Sequence, residues 1–170
     1  MSQWAREYRY NLLISHPEVR AQIERAGGSA PPVDAAGHTP IAYRPSNEPL
    51  KVRLGRRLWQ RLGVQTRRGA GATLRQPIGT VLVAFLCALA RGGYPVRTVR
   101  DRSRGCTIEA VLPPDWRTFE GAVTVDVRVE GDGARAEVFV DVPGQGIDYG
   151  RCGRVLANLL RDVDDLLRQP

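Results

Sequence analysis

Residues 121–143 read Gly121-Ala122-Val123-Thr124-Val125-Asp126-Val127-Arg128-Val129-Glu130-Gly131-Asp132-Gly133-Ala134-Arg135-Ala136-Glu137-Val138-Phe139-Val140-Asp141-Val142-Pro143. Val123, Val125, Val127 and Val129 alternate with Thr124, Asp126, Arg128 and Glu130, the period of a strand with one buried face. Gly131-Asp132-Gly133 is a tight hairpin turn. Beyond it Ala134, Ala136, Val138 and Val140 repeat the alternation. The stretch is a β-hairpin with one aliphatic face and one charged face. A lone hairpin is marginal in water, so the valine face requires a covering layer.

The flanking segments supply that layer. Pro77 suits a first helical turn, and residues 78–91 continue a helix through Val81, Leu82, Phe85, Leu86 and Leu89 to Gly92-Gly93. Strands are expected at 95–100 and 105–112, then at 121–130 and 134–142. Asp148 is placed to N-cap a last helix whose apolar face is Cys152, Val155, Leu156, Leu159, Val163, Leu166 and Leu167. The order α-β-β-β-β-α predicts an α+β two-layer sandwich, a four-stranded antiparallel sheet backed by two helices. Val123, Val125, Val127, Val129, Ala136, Val138, Val140, Leu156 and Leu159 are expected to share its core. The expected division is an N-terminal helical and basic arm over 1–75 and the sandwich over 76–170.

Within the arm, residues 2–14 read as a helix with Trp4, Tyr8 and Leu12 at a spacing of four. Ser15-His16-Pro17-Glu18 reads as a capping box that opens a second helix, stopped by Gly27-Gly28. Residues 27–49 are a Gly/Pro-rich linker. In 50–63, Leu50, Leu54, Leu58, Trp59 and Leu62 form one stripe, and Arg53, Arg56, Arg57 and Arg61 lie largely opposite. Residues 66–75, with Arg67, Arg68, Gly69 and Gly71, read as a mobile basic loop. They lack the preceding strand and the Gly-Lys-Ser/Thr of a phosphate-binding loop.

Of the 170 residues, 42% are apolar, which excludes wholesale disorder, and only 6% are aromatic, which predicts an aliphatic core. The net charge is +7. It is unevenly placed: residues 51–75 hold eight basic side chains and no acid, and residues 105–170 hold seven Arg against twelve acids. Such asymmetry points to a local anionic partner. Cys87, Cys106 and Cys152 have no paired spacing, which excludes a disulfide framework or a zinc ribbon. His16 and His38 add no metal-ligand spacing. The longest uncharged stretch, 76–90, spans about 22 Å as a helix, short of the roughly 30 Å of hydrocarbon a membrane presents. The N-terminus shows no signal-peptide core. The expectation is a cytoplasmic protein, either free or peripheral to a membrane or membrane complex.

Gly131-Asp132-Gly133-Ala134-Arg135, followed by a strand and by Gly144-Gln145-Gly146-Ile147-Asp148-Tyr149-Gly150 leading into Val155 and Leu159-Leu160, resembles small bacterial and cyanobacterial α+β domains of uncharacterised function. In these a Gly-Asp-Gly hairpin precedes a strand and an Asp-x-Gly opens the closing helix. The resemblance spans residues 78–168. It implies the fold but brings no activity with it.

Candidate chemistry is sparse. Cys152 near a helix N-terminus could be a reactive thiolate, but its place among Val155 and Leu156 favours a packed core residue. Asp162, Asp164 and Asp165 could attract Mg²⁺; interleaved with Arg161 and Arg168 they read better as a solvated helix face. On the outer sheet face Asp126, Glu130, Glu137 and Asp141 alternate with Arg128 and Arg135, an arrangement that cross-strand charge pairing explains. No catalytic set, cofactor motif or metal site emerges. The expected function is a non-enzymatic protein-interaction or structural module. Its basic arm would dock on a larger assembly or anionic surface through Arg53, Leu54, Arg56, Arg57, Leu58, Trp59 and Arg61. One alternative is a small carrier for an apolar ligand. Another is nucleic-acid binding through the basic segment, against which the outer face, with Phe139 as its lone aromatic, offers no stacking platform.

Overall fold

The structure is a computed structural model that describes residues 3–28, 65–116, 118–147 and 149–168. The hairpin of residues 121–143 lies inside the sheet. Strand β4 (Gly121–Glu130) pairs antiparallel with β5 (Gly133–Pro143), with Val125 opposite Val138 and Val127 opposite Ala136. The two-residue connection works because Gly131 takes a left-handed φ of 58°. Strand β3 (Gly105–Leu112) flanks β4 and β2 (Val96–Arg102) forms one sheet edge. The other edge is β1 (Gln65–Leu74), paired with β5 over all ten residues. The sheet order is β1-β5-β4-β3-β2.

Among the described residues the sheet therefore has five strands rather than four, and Gln65–Leu74, which takes in nearly all of the expected mobile loop over 66–75, is a strand. Its small side chains carry little strand propensity. Its pairing rests on the main chain, which lies along the long, regular edge of β5.

One face of the sheet is covered. Helix α3 (Ile78–Arg91) is buried along almost its whole length, and α4 (Arg151–Arg168) packs beside it through Cys152, Val155, Leu159 and Val163. The expected core residues Val123, Val125, Val127, Ala136, Val138, Val140 and Leu159 are all buried in one cluster, with Val129 and Leu156 packed at its margin. Asp148, the expected cap of α4, lies outside the described residues.

The backing layer has more than the two expected helices. The N-terminal segment opens with a 3₁₀ turn (Gln3–Arg6), followed by α1 (Tyr10–Ser15) and α2 (Pro17–Arg25), and the turn and α2 pack against α3. The expected continuous helix over 2–14 is broken at Glu7, whose carboxylate accepts the N–H groups of Tyr8 and Arg9. A local side-chain acceptor of this kind competes with helix formation. The buried residues become Tyr10, Leu13 and Ile14, while Leu12 is exposed. The capping box does not form either. Ser15 is the last residue of α1 and its hydroxyl donates to the Leu12 carbonyl at 2.6 Å. Glu18 instead accepts the indole N–H of Trp4 at 3.1 Å. Among the described residues no helix is long and apolar enough to cross a membrane.

Candidate interaction surface

Arg53, Leu54, Arg56, Arg57, Leu58, Trp59 and Arg61, singled out from the sequence, lie outside the described residues. The structure draws attention to another region, where the β3–β4 connection and the β5–α4 connection meet at one end of the sheet.

Two side chains tie these connections together. Gln145 is buried; its Oε1 accepts the Phe119 N–H at 3.1 Å and its Nε2 donates to the Ile147 carbonyl at 2.6 Å. Its own carbonyl accepts the Thr66 hydroxyl at 2.7 Å, which brings in the start of β1. Arg151 opens α4, an unfavourable place for a cation because the helix dipole is positive there. Its guanidinium is nevertheless largely buried, paired with Asp115 at 3.5 Å and bonded to the Thr118 hydroxyl and the Pro113 carbonyl. Asp115 in turn accepts the Thr118 N–H and hydroxyl, each at 2.8 Å. Buried polar groups satisfied in this way hold two otherwise irregular segments in one arrangement.

Large hydrophobic side chains stand on this framework. Trp116 is 84% exposed, Ile147 62% and Tyr149 56%; with Leu12 they are the large hydrophobics exposed among the described residues. Tyr149 also holds a left-handed φ of 49°, next to Gly150 at 73°. A bulky residue adopts that conformation only under constraint. The connection thus presents Tyr149 at a conformational cost, and places an aromatic ring in water where burial would be favourable.

The outer sheet face differs from the expected charge pairing. Asp126 faces Glu137 across β4 and β5, and Arg128 faces Arg135, so like charges lie opposite one another. The ion pairs run along each strand instead, Arg128 to Asp126 at 2.9 Å and Arg135 to Glu137 at 3.1 Å. The four charges balance without a ligand. Beside them Arg67 lies over the Phe139 ring, 4.2 Å from its centroid.

Cys152 is buried in the core, as a packed residue would be. Burial pushes the Cys87 and Cys106 thiols above their ordinary value, the reverse of what a nucleophile needs. Asp164 of the acidic cluster pairs with Arg168 at 2.6 Å on the exposed side of α4. Among the described residues no three His, Cys, Asp or Glu side chains are grouped to hold a metal ion.

No family model matches the sequence, and no curated protein matches it. Sequence reading missed Trp116, Ile147, Tyr149, Gln145 and Arg151 as a group. The available signal was the unusual placement of two aromatics and an isoleucine in Pro- and Gly-rich connections rather than in elements.

Proposed function

We propose that this chain is a non-enzymatic protein-interaction module that docks on a larger assembly. The observation that carries the reading is the exposure of Trp116, Ile147 and Tyr149 on two cross-linked connections at one end of the sheet. Aromatic anchors on a rigid support are the residues that dominate protein interfaces. The basic segment is the second contact of this reading. Arg53, Arg56, Arg57 and Arg61 would meet an acidic surface, and Leu54, Leu58 and Trp59 would anchor beside them. Chain connectivity supports the combination: Thr66 bonds to Gln145, and Arg61 is bound by covalent geometry to within about 18 Å of Thr66.

The test is native purification of the tagged chain, with mass spectrometry of the recovered proteins, for three forms. These are the wild type, Trp116→Ala/Tyr149→Ala and Arg56→Glu/Arg57→Glu. The first double variant is expected to keep a cooperative thermal transition, because Trp116 and Tyr149 are exposed and lie outside the core, yet to lose the partner. The charge reversal is expected to slow association. Unchanged recovery with both variants would sink the reading.

A further inference from the structure

Arg9, Arg97, Arg128, Arg135, Arg151 and Arg168 are each paired with a carboxylate. The β2–β3 hairpin is built differently. Its tip reads Arg100-Asp101-Arg102-Ser103-Arg104-Gly105, and every residue of it before Gly105 is exposed. Among the described residues Arg100, Arg102 and Arg104 form no ion pair. Asp101, which lies between them in sequence, is turned to the helical side and bonded to the Tyr10 N–H. We propose that this hairpin tip is a contact site for the phosphate backbone of a nucleic-acid duplex. The site is separate from Trp116, Ile147 and Tyr149, which stand beyond the opposite ends of β3 and β5.

Strand alternation sets the geometry. Val99 is buried in the core, so Arg100 and Arg102 stand on the outer face, about 6.6 Å apart along β2. Thr107 lies opposite Arg100, and Gly105 lies opposite Arg102. The Thr107 hydroxyl accepts the Arg102 Nε–H at 2.8 Å. That bond aims the guanidinium and leaves its terminal N–H groups for another acceptor. On its other side Gly105 faces Arg128. A Cβ on Gly105 would collide with the Val127 carbonyl oxygen, so no side chain stands between Arg102 and Arg128. The Arg104 carbonyl accepts the Val129 N–H at 2.9 Å, which pins the turn to β4. The arginines thus edge a notch on a fixed element.

The chemistry selects the occupant. Guanidinium groups bind phosphate oxygens through paired N–H donors. Residues 100–105 include no apolar side chain, so the tip lacks the anchor that a protein interface or a lipid surface would use. Contacts to a duplex backbone need no aromatic platform, whereas single strands are held by stacking. The neighbouring acids set the direction of approach. Asp126 is held by Arg128, and the β4–β5 tip carries Glu130 and Asp132. They repel a polyanion from the middle of the sheet and leave it the β2 side. The net charge of +7 favours the encounter.

The test is fluorescence anisotropy of the full chain with a labelled DNA duplex of about 20 base pairs, between about 50 and 200 mM salt. Each phosphate neutralised adds about 0.9 to the steepness with which log affinity falls against log salt. Arg100→Gln/Arg102→Gln/Arg104→Gln is therefore expected to lower that slope by about 2.7. It should keep the wild-type melting temperature, because the three side chains are exposed. Arg104→Gln alone should lower the slope by about 0.9, which keeps the test decisive if the triple variant fails to fold. Arg25→Gln/Arg154→Gln/Arg161→Gln removes the same charge from exposed helix positions and should leave the slope as it is. No saturable binding at the lowest salt, or an equal loss of slope in both triple variants, would overturn the proposal. Tighter binding of the single strand than of the duplex would overturn it too. So would an equal loss of labelled poly-glutamate binding in the hairpin variant, which would make an acidic protein the occupant. Trp116→Ala/Tyr149→Ala should bind the duplex as the wild type does, so failure here leaves the aromatic surface to be judged by its own experiment.

Discussion

The backbone N–H of Tyr10 donates to Asp101 Oδ1 at 2.9 Å, joining the start of α1 to the edge strand β2 across 91 positions of sequence. The carboxylate takes up a donor that a helix start leaves without an intrahelical partner. Its cross-strand neighbour on β3 is the buried Cys106. One acid thus holds the N-terminal segment against the sheet.

Asp101→Ala should therefore destabilise the chain by about 1–2 kcal/mol, the usual cost of losing a helix-start acceptor. Asp101→Asn keeps an acceptor and should lose less. Urea unfolding of the two variants reads the difference. Equal stabilities for wild type and Asp101→Ala would show that the contact does not hold α1 in place.

Val127 is fully buried on the inner face of β4, opposite Ala136 and Cys106. Val127→Asp would place a carboxylate among aliphatic side chains, at a cost above about 4 kcal/mol, a large part of the stability of a domain this size. The expected outcome is loss of the cooperative thermal transition. A wild-type melting temperature would mean that the inner face of β4 is misassigned.

The hairpin was legible because its pattern and its burial obey one rule: each valine at every second position faces the helices. β1 was not, because Gly69, Ala70, Gly71 and Ala72 carry no such pattern and the strand is specified by its neighbour. The four-residue spacing of Trp4, Tyr8 and Leu12 misled for a related reason. Glu7 bonds to the next two backbone N–H groups and resets the phase, so Tyr10 and Leu13 become the buried residues. The aromatic surface was illegible in principle. Trp116 and Tyr149 are 33 positions apart, and side-chain bonds from Arg151 and Gln145 tie their connections together.

Buried thiols give the fold a pH dependence. Burial raises the Cys87 and Cys106 thiols above the ordinary value of 9.0. The unfolded chain then releases these protons at lower pH than the folded chain. The contribution of both groups is fully present below about pH 9 and is lost as pH rises through the folded values. The buried Tyr10 hydroxyl, raised from 10.0 by burial, adds to the same slope at higher pH. Urea midpoints should fall between about pH 8 and pH 10, and fall less steeply in Cys106→Ala. A midpoint that stays flat or rises over that interval would contradict the burial of these groups.

Gly79 is the point where the N-terminal turn meets α3. A Cβ there would lie 2.2 Å from the Trp4 carbonyl oxygen and 2.8 Å from that of Ala5, closer than any real contact. Both obstacles are backbone, so neither can swing aside. Gly79→Ala favours the helix itself by about 1 kcal/mol, and on helix propensity alone the variant would be more stable. The overlap opposes this, because relieving it requires the turn to lift from α3, which typically costs about 1–3 kcal/mol. The turn carries Trp4, whose indole N–H bonds to Glu18 on α2, so displacement should also alter the tryptophan environment. The expected result is a lower urea midpoint together with a red-shifted Trp4 emission, read in a background where the other two tryptophans, Trp59 and Trp116, are replaced by Phe. A midpoint raised above that of the background, with unshifted emission, would mean that the N-terminal turn does not pack on α3 as the structure places it.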